Sequence, residues 1–385
     1  MEIRSHLLAL LAPTAIGDEL AAGVILRGVS SEAGPRFQFE VGGERIEVAV
    51  VKSDEPGPAA ARSARLRFSY RGQSDAGLRV CREVAARAVH NEGAVLDALA
   101  REAGDAAGAD DARVREIEVR ALLEVGPAAG HYTLSPYVGC LIGCRFCYAQ
   151  EGIARSRRLG GRVTPPWGSF VDVRVNAAAV LAGELVRLRP ALIQFCPLVS
   201  DPYHAIEARY RLTRACLETI AASASPPPVL LLTRAHAIVE DAALIARIPG
   251  SVAGVSLPTL DDDVRRHFEP RGASVAERLD ALAVLRAAGV RTAAVVQPLL
   301  PGPIDALADA LAADADSVRI DVLHGEYGAG AAFDDLRFGA ARADGWQRER
   351  AAALAGALTA RAVPLWPGDL PPEIQAGIAR SSSVP

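Results

Sequence analysis

Residues 135–150 read SPYVGCLIGCRFCYAQ, and this stretch carries chemistry that the rest of the fold has to support. It holds Cys140, Cys144 and Cys147 in the spacing Cys-x3-Cys-x2-Cys. Gly139 and Gly143 each stand directly before a cysteine, and glycine lets a backbone turn tightly and approach a bound group closely. Three thiols on one short loop indicate a metal or cluster site more than three separate core residues.

The spacing favours an open iron–sulfur site over the other uses of three cysteines. Three thiolates can bind three irons of a 4Fe–4S cube and leave the fourth iron free for a cofactor or substrate. A structural zinc site needs four ligands, and His131 would supply the fourth only if the chain folded back. A ferredoxin uses a different spacing with a fourth cysteine. A chance cluster of unligated thiols stays open as the last alternative.

The composition narrows the class of protein. The chain has 385 residues, of which 50% are hydrophobic, and a formal net charge of −4. This charge argues against nucleic acid as a partner, because non-specific nucleic-acid binders are usually basic. The grouping of three of the six cysteines suggests a metal site more than a disulfide framework. No run approaches the roughly 20 apolar residues of a membrane span. We therefore expect a cytoplasmic protein without a membrane partner.

The first part of the chain predicts a small α+β domain over residues 1–112, of unknown role. Residues 37–41 and 46–50 alternate apolar and polar side chains on either side of Gly42-Gly43, which is a hairpin signal. Residues 66–70 predict a third strand, and a helix is expected to follow. One face of that helix carries Leu78, Cys81, Val84 and Ala88. The small and acidic stretch 104–112 predicts a linker.

From residue 113 onward, apolar runs alternate with helical stretches, which is typical of a parallel α/β sheet. The strand-like runs are residues 191–196, 229–233, 252–257, 290–296 and 318–323. About six βα units result if the cysteine segment supplies the first strand. We expect a partial (β/α)6 barrel over residues 113–340, with a doubly wound open sheet as the alternative. A C-terminal helix and tail are expected over residues 341–385.

The cysteine motif and its surroundings resemble the radical S-adenosylmethionine (SAM) superfamily, in particular its spore photoproduct lyase-like branch. Phe146 is the aromatic residue before the third cysteine, and the segment from Ser135 is similar to the NPY-x-GC…GC-x-YCYAR of that branch. Other segments agree in consistent order. They are Trp167-Gly168, Val173-Arg174-Val175-Asn176-Ala177, Ser200-Asp201-Pro202-Tyr203 with Glu207, Tyr210-Arg211-Leu212-Thr213-Arg214, Ser256 with Phe268-Glu269-Pro270-Arg271, Glu277-Arg278-Leu279, Val295-Val296-Gln297-Pro298 and Pro301-Gly302.

The resemblance implies a fold, two cofactors and a type of reaction. The fold is a TIM-like partial barrel with the cluster loop after its first strand, and active sites of such barrels lie at the carboxyl ends of the strands. The cofactors are a 4Fe–4S cluster and SAM, which chelates the open iron. Reductive cleavage of SAM gives a 5′-deoxyadenosyl radical that takes hydrogen from a substrate. A flavodoxin- or ferredoxin-type protein is implied as the reductant.

Site residues follow from matched positions and predicted strand ends. Cys140, Cys144 and Cys147 are the expected cluster ligands. The expected SAM-binding residues are Tyr148, Arg174, Ser200 and Ser256, of which Arg174 pairs with the methionyl carboxylate. The expected catalytic residues are Cys196, Asp201 and Tyr203, and further substrate candidates are Gln297, His324 and Glu326. Plainer readings exist: Cys196 as a small buried residue, and Asp201 as the cap of a helix near Tyr203.

The sequence also departs from the branch. Leu198 stands where the lyase has a hydrogen-donating cysteine, and Arg174 stands where lysine is common. His204 and Ala205 follow Tyr203 in place of the pattern's glutamine and proline. An arginine run, Arg155, Arg157, Arg158 and Arg162, follows the cysteine loop and is either a solvated surface or an anion site. The leading function is a radical SAM enzyme for a biosynthetic small molecule or peptide. The alternatives are a nucleic-acid repair lyase and a non-catalytic iron–sulfur electron carrier or sensor.

Overall fold

The computed structural model of the chain describes residues 3–31, 34–55, 58–72, 74–105, 113–126, 130–196, 198–323 and 328–375. The chain divides into two compact units. The first unit consists of Met1–Arg120 together with Ala149–Pro166, and the second consists of Ala121–Tyr148 together with Trp167–Pro385. The segment that directly follows the cysteine motif therefore belongs to the first unit and not to the predicted barrel.

The first unit contains an antiparallel sheet of six strands in the order β1-β2-β3-β4-β6-β5. Its elements are α1 (Ile3–Leu10), β1 (Glu19–Ala21), β2 (Val24–Ser30), β3 (Arg36–Val41), β4 (Glu44–Lys52), β5 (Ala61–Arg62), β6 (Leu66–Tyr70), α2 (Asp75–Asp105), β7 (Val114–Ile117) and α3 (Ala149–Leu159). Gly42 and Gly43 both have positive φ, 58° and 84°, as the predicted hairpin turn requires. The predicted linker begins in α2, and its residues 106–112 lie outside the described ranges.

Alternation on the strands and helical periodicity on α2 build one apolar core. Phe37, Phe39 and Phe68 of the sheet are buried in one cluster with Val80 and Cys81 of α2. Burial raises the pKa of Cys81 to about 12, so this thiol is an unreactive core group, as expected. Leu159 of α3 joins the same cluster.

Two arginines of the predicted run serve the first unit internally. Arg157 is buried, and its Nε donates to the carbonyl of Val163 at 3.0 Å. Arg158 forms an ion pair with Glu55 at 3.0 Å. Both side chains therefore have partners within this unit, which weakens the interpretation of the run as an anion site.

The second unit contains a sheet of seven strands in the order β16-β15-β14-β13-β12-β9-β8. These strands are β8 (Leu123–Val125), β9 (His131–Leu134), β12 (Leu192–Phe195), β13 (Val229–Thr233), β14 (Val252–Ser256), β15 (Arg291–Val296) and β16 (Ser317–Ile320). The six strands from β9 to β16 pair in parallel, and β8 pairs antiparallel with β9. Their spatial order equals their chain order, whereas a doubly wound sheet reverses its order at a switch point. The predicted α/β class with a partial (β/α)6 barrel is confirmed.

Helices connect the parallel strands, and a short antiparallel ribbon follows the first one. The helices are α4 (Ala177–Leu188), α5 (Glu207–Tyr210), α6 (Leu212–Ala221), α7 (Ala242–Ala246), α8 (Asp262–Phe268), α9 (Val275–Ala287), α10 (Ile304–Asp314), α11 (Gly330–Phe333) and α12 (Asp344–Ala360). Two 3-10 helices span His236–Asp241 and Gly339–Arg342. The ribbon pairs β10 (Tyr137–Val138) with β11 (Val171–Arg174). Helix α9 begins with a capping box between Ser274 and Glu277, which satisfies orphan backbone donors.

The C-terminal segment belongs to the barrel unit instead of forming a separate tail. Leu365 forms a parallel bridge with Val318 of β16, and the backbone N–H of Trp366 donates to the Val318 carbonyl at 3.0 Å. Leu370 and Ile374 are buried in one cluster with residues near the starts of four parallel strands, Leu192, Leu230, Val252 and Ala293. The segment thus closes the amino-terminal end of the barrel and leaves the carboxyl-terminal end for the site.

Within the described ranges, no helix combines the length and the apolar character needed to cross a bilayer.

Replacement of Leu231 by alanine should destabilise the barrel unit by about 2–5 kcal/mol, because it removes methyl groups from a packed site and leaves a cavity. Leu231 is fully buried on β13, between β12 and β14. The matched control is Leu336→Ala, in the same unit but 99% exposed, with an expected change within about 0.5 kcal/mol. All three tryptophans lie in this unit, so denaturant unfolding followed by their fluorescence reports on it. Equal shifts for the two variants would contradict the assigned core.

Candidate iron–sulfur site

The three cysteines lie on the loop that follows β9, the first parallel strand of the barrel. Strand β9 ends at Leu134, and the ribbon strand β10 begins at Tyr137 and leads into the loop. The backbone N–H of Gly139 donates to the carbonyl of Val199, in the loop after β12, at 3.1 Å. The cysteine loop therefore lies at the carboxyl-terminal end of the barrel, where such folds carry their active sites.

The three thiols form one group with little access to water. Cys140 and Cys144 are buried, Cys147 is partly buried, and the three interact electrostatically with one another. Burial raises the pKa of Cys140 to about 12 and that of Cys144 well above its ordinary value. Thiols in such an environment stay protonated at neutral pH unless a metal stabilises the thiolate. The donor set therefore fits a metal cluster better than free reactive cysteines.

The spread of the three thiols is compatible with a cluster. In the part of the chain that the structure describes, no three His, Cys, Asp or Glu side chains converge closely enough to hold one ion. Three thiolates that bind three different irons of a cube do not have to converge on one point.

Hydrogen bonds from distant parts of the barrel unit fix the backbone of the loop. Ser200 Oγ donates to the carbonyl of Gly139 at 2.7 Å, and Trp167 Nε1 donates to the carbonyl of Cys144 at 3.2 Å. The backbone N–H of Arg145 donates to the carbonyl of Phe268 at 2.9 Å. Because each partner is far away in the sequence, the loop geometry depends on the folded barrel.

Two glycines in direct contact explain the Trp167-Gly168 segment. Gly143 and Gly168 have φ values of 67° and 86°, and a Cβ atom on Gly168 would lie 2.9 Å from the Cα of Gly143. Arg271 fills the space beside them, since its Nη2 donates to the carbonyl of Gly168 at 2.6 Å and its Nε donates to the carbonyl of Leu141. Only glycine allows both backbone conformations and the close approach.

Aromatic side chains form an apolar wall beside the cysteines. Phe146 lies 6.3 Å from Phe268, measured between ring centroids, and Phe268 contacts Phe333 and Phe338 at 4.8 and 5.4 Å. All four rings are buried in one cluster with Cys140 and Cys144. A low-dielectric wall of this kind excludes water from reactive intermediates.

A buried ionic triad lies behind this wall. Glu269 is fully buried and accepts from Nε of Arg234 and from Nη2 of Arg278. Arg278 Nη1 donates to the carbonyl of Ser256 at 2.7 Å, and Arg234 Nη2 donates to the carbonyl of Gln297 at 3.0 Å. The triad thus connects the ends of β13, β14 and β15 at the level of the cysteine loop.

Asp201 and Tyr203, two of the expected catalytic residues, hold the framework together. The carboxylate of Asp201 accepts from Thr233 Oγ1 at 2.6 Å and from the backbone N–H groups of Arg234 and Tyr203 at 2.7 and 2.9 Å. Tyr203 is buried, and its hydroxyl donates to Asp241 at 2.9 Å. Asp201 therefore joins its own turn to the end of β13 and does not cap a helix, because α5 begins at Glu207 with Ile206 as its N-cap and without a side-chain cap. Both side chains already form hydrogen bonds with neighbouring loops. Fewer of their polar atoms are therefore left to contact a substrate directly.

Cys196, the third expected catalytic residue, has an unusual backbone conformation. It directly follows β12 with a φ of 45°, a left-handed conformation that is uncommon for residues other than glycine. Its backbone N–H donates to the carbonyl of Leu134 at 2.8 Å, at the end of β9. The thiol is buried and lies within electrostatic range of Tyr137. Strained residues of this kind concentrate at functional sites.

Comparison with known proteins identifies this region. A family model described as the radical SAM superfamily matches residues 134–313. These residues, slightly less than half of the chain, match a radical SAM domain. The finding confirms the superfamily that the cysteine motif predicted, and the match includes the cysteine loop and the strands from β10 to β15.

Relatives and solved structures share this part of the chain. An uncharacterized protein of Methanocaldococcus jannaschii is 25% identical over 198 residues, which is 51% of this chain and 71% of the relative. An uncharacterized protein of Mycobacterium bovis is 32% identical over 207 residues, or 50% of this chain and 58% of the relative. A spore photoproduct lyase structure with a bound dinucleoside spore photoproduct covers 54% of this chain and 60% of its own, with 18% identity and a TM-score of 0.41.

The four expected SAM-binding residues of the radical SAM domain differ in their freedom to contact a ligand. Arg174 is buried at the end of β11, where Nη1 donates to the carbonyl of Ser135 at 2.8 Å and Nε has no hydrogen-bond partner among the described residues. Tyr148 is 38% exposed. Ser200 already donates to Gly139, and Ser256 is buried at the end of β14. Arg174 keeps the clearest unused capacity for an anionic group.

Of the three further substrate candidates, the structure describes only Gln297. Gln297 Nε2 donates to Asp321 at 3.1 Å, which ties this side chain to the loop after β16. His324 and Glu326 lie outside the described residues.

Sequence reasoning noted His204 only as a departure from the family pattern. The imidazole is 1% exposed, and neither ring nitrogen has a hydrogen-bond partner in the described part of the chain. Its ring packs edge-on against Tyr137, whose hydroxyl donates to Glu207. Burial lowers the pKa of His204 to about 3. No local pattern signals this environment, because Tyr137 lies in a different βα unit.

Replacement of His204 by glutamine should make the free energy of unfolding of the barrel unit depend less on pH under acidic conditions. The folded-state pKa, about 3, lies below the ordinary value of 6.5, so the unfolded chain binds an extra proton between these values. Stability therefore falls as the pH drops through this window, by about 1.4 kcal/mol per pH unit. Tryptophan-monitored unfolding at pH 6.5 and 4.5 should show a loss larger by about 2–3 kcal/mol in the parent than in His204→Gln. Parallel losses would show that His204 is not buried in its neutral form.

Proposed function

We propose that this chain is a radical SAM enzyme in which Cys140, Cys144 and Cys147 hold a 4Fe–4S cluster and Arg174 helps to bind SAM. One observation carries the proposal: three buried thiols lie together on the loop after the first parallel strand of a radical SAM domain. When bound and reduced, the cluster and SAM supply a 5′-deoxyadenosyl radical that takes a hydrogen atom from the substrate. The side chains of the protein position and shield these groups.

Each side of the site has its own task in this proposal. The aromatic wall of Phe146, Phe268, Phe333 and Phe338 keeps water away from the cluster loop. Arg174 offers a charged donor that can bind the methionyl carboxylate of SAM. Tyr148, directly after the third ligand, is exposed enough to contact SAM. Ser200 acts mainly by fixing the backbone of Gly139, and Ser256 contributes a position at the end of β14.

The substrate proposed is a biosynthetic small molecule or a peptide. The net charge of −4 gives no general attraction for a nucleic-acid backbone. Leu198 at the position of the lyase's donor cysteine disfavours photoproduct repair. Cys196, strained and buried at the end of β12, is the proposed hydrogen-transfer residue if the reaction uses a thiol. A flavodoxin- or ferredoxin-type protein is the proposed source of electrons.

Anaerobic reconstitution with iron and sulfide should give a 4Fe–4S cluster, and addition of dithionite and SAM should release 5′-deoxyadenosine, measured by mass spectrometry. Cys144→Ala should lose both the cluster and the product, because one ligand is missing. The matched control is Cys216→Ala, a buried cysteine on α6 outside the loop, which should keep both. The parent protein could instead hold a full cluster whose EPR signal does not change when SAM is added. That result would support the electron carrier or sensor.

Replacement of Arg174 by glutamine should weaken SAM binding by roughly 10- to 100-fold and leave the cluster intact. The reason is the loss of a charge-assisted hydrogen bond, worth about 1.5–3 kcal/mol. Arg187→Gln on the exposed side of α4 is the control with the same loss of charge. Binding is measured by titrating SAM into the reconstituted protein and following its effect on the EPR spectrum of the cluster. If Arg174→Gln binds SAM with unchanged affinity, a residue other than Arg174 binds the methionyl carboxylate.

A further inference from the structure

The guanidinium group of Arg234 lies against the cysteine loop. Arg234 directly follows β13, and its backbone N–H is held by Asp201 at 2.7 Å. Its guanidinium carbon lies 5.6 Å from the ring centroid of Phe146, the residue between Cys144 and Cys147. The side chain is 20% exposed, and two further contacts, to Glu269 and to the carbonyl of Gln297, fix its orientation. The cation is therefore held in one place beside two of the three thiols.

The charges that reach the thiols have opposite signs. The guanidinium of Arg234 lies beside the ring of Phe146, between Cys144 and Cys147 in the chain, whereas the Glu269 carboxylate is bound by Arg234 and Arg278. Asp201 is the carboxylate that interacts with Cys140. Glu269 is shared with Arg278, so the fully buried carboxylate is paired with two cations. The triad as a whole carries one positive charge on the side of Cys144 and Cys147.

A fixed charge beside a cluster changes its reduction potential. Reduction adds one negative charge to the cluster, and a nearby cation stabilises the reduced form more than the oxidised form. The interaction is strong where water is excluded, as it is behind Phe146 and Phe268. Charge, hydrogen bonding and exposure are the main means by which a protein sets the potential of a cluster.

We propose that Arg234 raises the reduction potential of the cluster and that Glu269 moderates this effect while holding the guanidinium in place. The inference rests on the proposed function, since it needs the 4Fe–4S cluster on the three cysteines. In this proposal Arg234 acts on the cluster through its charge, as a tuning residue. The sequence gives no separate signal for this role, because Arg234 and Glu269 are 35 residues apart.

The test measures the midpoint potential of the reconstituted, full-length protein without SAM, by anaerobic redox titration followed by EPR of the reduced cluster. Arg234→Gln removes the charge and should lower the potential, whereas Arg234→Lys keeps the charge and should stay closer to the parent. Glu269→Gln removes the opposing charge and should raise the potential. The matched control is Arg319→Gln. Arg319 lies on β16, its side chain is 24% exposed, and it forms ion pairs with Asp321 and Asp369. Its potential should equal that of the parent.

The outcomes separate this inference from the proposed function. Shifts of opposite sign for Arg234→Gln and Glu269→Gln, with Arg319→Gln unchanged, would support the tuning role. Shifts of the same sign, or none in Arg234→Gln and Arg234→Lys alike, would overturn it even though the cluster is present. A shift of equal size in Arg234→Lys and Arg234→Gln would also overturn it, because packing and not charge would then be responsible. If the parent chain assembles no 4Fe–4S cluster, the proposed function itself fails.

Discussion

The close contact between Gly143 and Gly168 is the constraint on which the site depends. It brings the middle of the cysteine loop against the segment before β11, and a side chain on either residue would collide with the other or with Arg271. Arg271 then joins both segments by binding the carbonyls of Leu141 and Gly168. With its backbone groups bound to the protein in this way, the loop can present its thiols to a cluster without leaving polar groups unsatisfied.

The same end of the barrel contains an unusual amount of buried charge. Glu269 and Arg278 have no exposed side-chain surface, and Asp201 is also buried. Burial of such groups is costly unless they are paired and fully hydrogen-bonded, and a hydrophobic core of the same volume is often equally stable. The stability of the fold therefore does not require this network. Its position beside the cysteine loop gives a functional reason for retaining it, namely a fixed electrostatic environment for whatever binds there.

The sequence predicted the architecture well and the partners of individual polar groups poorly. Alternation and apolar runs located β3, β4, β6 and most barrel strands within a residue or two, because these signals are local. They could not predict that Asp201 binds Thr233, 32 residues away, or that Tyr203 binds Asp241, 38 residues away. The helical stretch after β12 is interrupted at Arg211, which takes a φ of 51° and separates α5 from α6. Helical periodicity continues across that break, so the sequence pattern does not predict it.

Local sequence patterns also did not predict which of the two units a segment belongs to. Helix α3 directly follows the cysteine motif, yet Leu159 completes the core of the first unit. The segment after α12 closes the amino-terminal end of the barrel through Leu370 and Ile374. Both assignments depend on which apolar face finds an uncovered core, and that is a property of the assembled fold. The cluster loop is therefore followed in the chain by an element of the first unit.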